Sequence, residues 1–178
     1  MNNALNTTVQ VLSSGKIIGY PTEGVWGLGC DPDNKLAVAR LLKLKGRSED
    51  KGFILVGSKI SHLEKYANLN RYKKTFQSKW PGPHTLIFPT KIAPEWITGG
   101  KQSVALRLSK HKTIVKICEA FEGAIVSSSA NVEGEPPAKT PEEVKKNFPE
   151  IFLVKGRTGC LKGPTPIQDV VSKELLRS

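Results

Sequence analysis

The apolar residues of this chain fall in short runs, each closed off by glycine, proline or a polar cluster. "KIIGY" (16–20), "GFILVG" (52–57), "HTLIFPT" (84–90), "SVALRLS" (103–109) and "GAIVSSS" (123–129) are too short for packed helices and too apolar for surface loops. They read as buried strands. "EIFLV" (150–154), "IQDVV" (167–171) and "ELLRS" (174–178) read as further short strands. Helical periodicity fills the gaps. Residues 3–14 place Leu5, Val9 and Leu12 on one stripe, with Gly15 as the stop. Residues 34–45, capped by Asp33 or Asn34, put Leu36, Val38, Ala39, Leu41 and Leu42 inward. Helical spacing extends over 60–67, 69–79 and 111–121, and over "TPEEVKKNFP" (140–149), where Thr140 caps and Pro141 takes the first helical position. "PTEGVWGLGCDPDN" (21–34), with three glycines and two prolines, reads as a loop. Strands and helices mix without strict alternation. The expectation is an α/β fold: one domain over 1–178, with a twisted mixed sheet flanked by helices.

Charge narrows the partners. Lys and Arg total 27 against 16 acids in 178 residues, a net charge of +11. Residues 35–79 hold 12 Lys/Arg and three acids. That balance favours polyanions: nucleotides, nucleic acid or an anionic membrane surface, with a solubilising face as the plainer reading. No apolar run is long enough to span a membrane, and the start lacks the pattern of a signal peptide, so a cytoplasmic protein is expected. Cys30, Cys118 and Cys160 form no C-x-x-C pair, and His62, His84 and His111 have no ligand spacing, so no protein-held metal site is expected.

The common nucleotide signatures are missing. Neither Gly15-Lys16 nor Gly100-Lys101 belongs to a phosphate-binding loop motif, "GVWGLG" is not the dinucleotide fingerprint, and no G-x-S-x-G is present. What the chain has instead is a set of polar loops at strand ends. "YPTEG" offers Thr22 and Glu23, "LKGRSEDKG" offers Lys45 and Arg47 around a glycine, and "SSSAN" offers three hydroxyls and a carboxamide. "ALRLS" puts Arg107 inside an apolar strand, where a cation needs a partner. Anionic substrates are held by such donors converging from several loops.

Taken together, "YPTEGVWGLGCDP", "LKGRSEDKGFILV", "WPGPHTLIF", "VALRLSKH", "VSSSANVEGEPP" and "GPTPIQDVVSKELLR" resemble the YrdC/TsaC family of threonylcarbamoyl-AMP synthases, in that family's order and spacing. The likeness is to its short bacterial single-domain form. The resemblance implies a YrdC-like fold with a concave basic groove. It also implies a reaction in which L-threonine, bicarbonate and ATP give threonylcarbamoyl-adenylate and pyrophosphate. The product feeds N6-threonylcarbamoyladenosine formation on tRNA, with other tRNA-modification proteins performing the transfer. Mg²⁺ is expected to arrive with ATP, and no other cofactor is implied. The family's K-x-R falls on Lys45 and Arg47, which the resemblance assigns to phosphate and to catalysis. Ser103, Ser129, Asn131 and Arg177 fall on the ATP side, and Thr22, Arg107 and Thr165 on the threonine side. Three places depart from the family pattern: Ser48 stands where a proline is common, Glu133 where a serine is common, and Phe53–Val56 where longer members carry a histidine. The alternative is an RNA-binding module using the basic face for tRNA, structured RNA or a ribosome precursor. Against it stand the absent RRM and KH signatures and an aromatic content of only 7%.

Overall fold

A computed structural model describes residues 3–177. The strands are β1 (Ile18–Pro21), β2 (Trp26–Gly29), β3 (Ile54–Gly57), β4 (Thr85–Pro89), β5 (Ser103–Leu108), β6 (Ile125–Ser129), β7 (Phe152–Leu153), β8 (Ile167–Asp169) and β9 (Leu175–Arg177). The helices are α1 (Asn3–Ser13), α2 (Lys35–Lys45), α3 (Lys73–Gln77), α4 (Glu95–Thr98), α5 (Lys112–Phe121) and α6 (Pro141–Asn147). The strands form one nine-stranded sheet in the order β7-β1-β2-β6-β3-β5-β4-β8-β9. The pairs β1–β7, β3–β5 and β4–β8 are parallel, and β1–β2, β2–β6, β3–β6, β4–β5 and β8–β9 are antiparallel. The sheet is therefore mixed, as expected for strands joined by both hairpins and helices. Among the described residues no helix is long and apolar enough to cross a membrane.

Period-2 alternation divides the core between the two faces of this sheet. Leu55 of β3 and Val126 of β6 join a large cluster with Leu41, Phe88 and Leu106. Their neighbours Val56 and Ile125 point the other way, into a smaller cluster with Leu12, Tyr20, Ile114 and Ile117. The helices α1 and α5 pack on that second face, α5 against β1 and β3 and α1 against β1.

Three readings of the sequence change. The glycine-rich stretch 21–34 contains β2, which pairs with β1 and β6. Its glycines serve close approach: a Cβ on Gly29 would come within 2.4 Å of the Val126 carbonyl oxygen and 2.8 Å of the Tyr20 ring. In α2 the buried stripe is Ala37, Val38, Leu41, Leu42 and Lys45, whereas Leu36 is 69% exposed and Ala39 also faces solvent. Residues 60–79 form 3₁₀ turns at Ile60–His62 and Asn70–Tyr72 and the short α3, not two full helices.

Candidate active site

Strand alternation builds the floor of the site. In β5, Val104, Leu106 and Leu108 enter the large core, which turns Ser103, Ala105 and Arg107 to the opposite face. Register sets Ala105 beside Ile54 of β3, and Ile54 beside Ser127 of β6. These residues form the floor of a cavity of about 240 Å³. Loops raise the walls: Thr22 from the β1–β2 turn, Arg47 and Lys51 after α2, Thr98 and Lys101 around the end of α4, and Thr165 and Arg177 near the last strands. Five cations line the cavity, and among the described residues its wall carries no carboxylate.

Each guanidinium is fixed by the chain. Arg107 is 4% exposed; Nη1 donates to Thr165 Oγ1 at 3.1 Å and Nη2 to Ser127 Oγ at 2.9 Å. Arg177 donates from Nε (3.0 Å) and Nη2 (2.6 Å) to the Thr165 carbonyl. Burial, with the charges of Arg107 and Arg47 adding to it, lowers the Arg177 pKa from its ordinary value. Arg47 donates from Nη2 to the Gly52 carbonyl at 3.0 Å and lies over the Phe53 ring at 5.4 Å. Burial lowers its pKa too, opposed by Glu133 and Asp50. The Nε–H groups of Arg47 and Arg107 are buried without a partner. Three mutually repelling cations with unspent donors, facing one cavity, make a receptor for an anion.

The glycine between Lys45 and Arg47 sends the two cations to different places. Gly46 ends α2 with φ +60° and ψ 30°, and its N–H closes onto the Leu42 and Lys43 carbonyls. Lys45 therefore stays on the buried helix stripe, 2% exposed, while Arg47 emerges beyond the turn onto the wall. Lys45 Nζ donates to the carbonyls of Ser129 (2.5 Å) and Asn131 (2.6 Å). Burial, reinforced by Arg47 and opposed by Glu133, pulls its pKa down to about 8. Asn131 is also set back from the wall: Nδ2 donates to the Val132 (2.8 Å) and Glu135 (3.0 Å) carbonyls, bracing the turn after β6. Thus Thr22, Arg47, Ser103, Arg107, Ser129, Thr165 and Arg177 share the cavity, with Lys45 and Asn131 one layer behind it. Lys51, Lys101, Thr98 and Ser127 join the wall without having been singled out individually. The signals for them were thin: Lys51 precedes a glycine, and Lys101 follows a glycine pair with φ +65° and +76°.

Residues 10–178 match the sequence model of Sua5, YciO and YrdC proteins, whose description reads telomere recombination. The chain belongs to the Sua5/YciO/YrdC family. It is 40% identical over 188 aligned residues to a protein named threonylcarbamoyl-AMP synthase from Escherichia coli O1:K1, with 99% of each chain covered. It superposes on P. abyssi Sua5 complexed with L-threonine with a TM-score of 0.85 at 29% identity, covering 93% of this chain and 50% of that one. E. coli YciO, at 24% identity and a TM-score of 0.80, shares the fold over 98% of this chain and 90% of its own. Within this Sua5/YciO/YrdC member the departures from the family pattern have local partners. Glu133 forms an ion pair with Lys51 at the cavity mouth, the Ser48 hydroxyl bonds the Asp50 carboxylate, and Phe53 lies against Arg47.

Proposed function

We propose that this protein is a threonylcarbamoyl-AMP synthase, a nucleotidyltransferase joining L-threonine, bicarbonate and ATP. The observation that carries the reading is the cavity itself, where Arg47, Arg107 and Arg177 converge on a wall free of carboxylates among the described residues. Both substrates are polyanionic or zwitterionic, and a planar guanidinium grips carboxylate and phosphate oxygens in pairs. Arg107, with Thr22 and Thr165 beside it, takes the threonine carboxylate. Arg47, Arg177, Ser103 and Ser129 face the nucleotide, with Lys51 and Lys101 adding charge. Lys45 and Asn131 act on the nucleotide side by shaping the Ser129–Asn131 turn. Residues 1–178 are read as one domain working in the cytoplasm.

The chemistry asks little covalent help of the chain. The threonine amine and bicarbonate give a carbamate and water. A carbamate oxygen then bonds the α-phosphorus of ATP as the bond to the pyrophosphate oxygen breaks. Among the described residues the cavity wall carries no nucleophile–base pair, and its contribution is alignment of the substrates and neutralisation of their charge. Mg²⁺ is read as an ion carried in by phosphate oxygens and water, the hard oxygen ligands it prefers. The adenylate is then passed to other tRNA-modification proteins, and the basic face is available to RNA.

Pyrophosphate release from purified protein, ATP, Mg²⁺ and bicarbonate, with and without L-threonine, tests the reading. Release that needs both threonine and bicarbonate is expected. Release indifferent to threonine contradicts it, and no release from folded, metal-supplied protein favours the RNA-binding alternative or a required partner.

A further inference from the structure

Arg107 is a buried cation, and a buried cation needs a counter-charge. Its acid is Glu23, whose Oε2 lies 3.5 Å from Nη2, the two side chains being 11% and 4% exposed. Glu23 is not on the cavity wall; it stands behind Arg107. Its Oε2 has no hydrogen bond of its own. Its Oε1 accepts from the Ser109 hydroxyl at 2.6 Å. That hydroxyl oxygen in turn accepts the His111 N–H at 3.0 Å, which leaves its proton for the carboxylate. The backbone is fixed as well. The Glu23 carbonyl accepts from Leu161 N–H at 3.0 Å, and Gly159 N–H donates to the Thr22 carbonyl at 2.9 Å. A Cβ on Gly159 would come within 2.6 Å of the Glu23 carbonyl oxygen, so the two segments touch there.

We infer that Glu23 is a positioning residue: it draws the Arg107 guanidinium back from the other two arginines and so keeps a threonine-carboxylate subsite distinct from the phosphate subsite. The inference rests on the function proposed above. Arg107, Arg47 and Arg177 repel one another across one cavity. Two hydroxyl acceptors, Thr165 and Ser127, orient Arg107 but do not neutralise it. Without the Glu23 carboxylate, only these two neutral hydroxyls hold Arg107 against a swing toward a triphosphate, the strongest anion present. With Glu23 charged, one guanidinium is balanced and aimed, and Arg47 and Arg177 remain for phosphate. Glu23 also ties together the three segments that carry Thr22, Arg107 and Thr165.

The test measures threonine and ATP affinity, by steady-state KM and by calorimetric Kd, in the full-length wild type, Glu23→Gln and Glu23→Asp. Glu23→Gln should raise the threonine constants about tenfold, the scale of one charge-assisted contact, and leave those for ATP within about twofold. Glu23→Asp, which keeps the charge one methylene short, should recover part of the loss. In an Arg107→Lys background Glu23→Gln should add little, because residues that act through one another are not additive. If Glu23→Gln proves unfolded in a thermal melt, Ser109→Ala serves instead, since it loosens the same carboxylate. It should move threonine affinity in the same direction. Unchanged threonine constants, equal rises for threonine and ATP, or full additivity with Arg107→Lys would each overturn the inference. A wild type that binds neither substrate overturns the functional reading, and this inference with it; a normal wild type beside an unaffected Glu23→Gln overturns this inference alone.

Discussion

Two basic hollows differ in how they hold their charge. The cavity over β3, β5 and β6 is small, about 240 Å³, and its guanidiniums are clamped to carbonyls and hydroxyls. The groove between α1, α5 and β7 is larger, about 950 Å³, with Leu5, Ile117, Phe152 and Val154 among its apolar residues. Its cations are Lys110, Lys112, Lys116, Lys155 and Arg157, all solvent-exposed. Among the described residues none of these five side chains makes an ion pair or a hydrogen bond. Size alone would favour the groove, and charge does not separate the two, since each wall carries five cations and no carboxylate among the described residues. Preorganisation favours the cavity, because fixed donors need no reordering when an anion arrives and are not screened by water. A charge of +11 therefore says little about where chemistry sits; tethering and burial say more.

The contrast breaks if charges in the two hollows prove equivalent. Arg107→Ala should have the largest effect. It raises the threonine requirement more than the ATP requirement and, by stranding Glu23, costs about 3–5 kcal/mol of stability. Steady-state kinetics beside a denaturant melt separate the two. Arg47→Ala should cut turnover at least about tenfold with the fold intact, whereas Lys112→Ala with Lys116→Ala should change it less than about twofold. Equal losses in both would mean that general positive potential does the work.

Lys45 sharpens the contrast through stability. Lys45→Met strands the Ser129 and Asn131 carbonyls and should cost about 1–3 kcal/mol in urea unfolding, against less than about 0.5 kcal/mol for Lys116→Met. Its proton gives a further signature. The unfolded lysine holds its proton to about 10.5 and the folded one to about 8, so between those values the unfolded state binds more protons. The Lys45 contribution to stability thus grows as pH rises from about 8 to 10.5 and is flat well below 8. The wild-type minus Lys45→Met difference, followed across that range, should show the rise. A smaller effect separates the segment beside the cavity from the core. Cys160 is exposed, while Cys30 and Cys118 are buried with thiols pushed up to about 12. One fast alkylation per native chain is expected, at Cys160; fast labelling at Cys30 or Cys118 would mean that the core opens.

What could be seen in the sequence depended on whether a residue's role is local. The apolar runs gave the strands because burial on both faces leaves a compositional mark. β2 was hidden because its glycines answer to Tyr20 and Val126, residues distant in the chain. The inward stripe of α2 differs from the expectation at both Leu36 and Ala39, which face solvent, while Ala37 is buried, because packing against the core and not hydropathy decides which neighbour turns inward. Lys45 and Arg47 stand out together in the sequence as two cations around one glycine. That they part company across Gly46 depends on a left-handed cap, whose consequence is visible only in three dimensions. Glu23 lay in a stretch already marked as polar, but its tie to Arg107 spans strands that nothing local connects.

On the proposed function, this cavity joins threonine to the α-phosphate of ATP through a carbon taken from bicarbonate. The decisive measurement is mass spectrometry of the reaction run in ¹³C-bicarbonate. A threonine-dependent adenylate carrying one ¹³C is expected, its yield lowered about tenfold or more in Arg47→Ala and Arg107→Ala at limiting substrate. An adenylate without the label, or ATP consumed to ADP or AMP with threonine untouched, would contradict it.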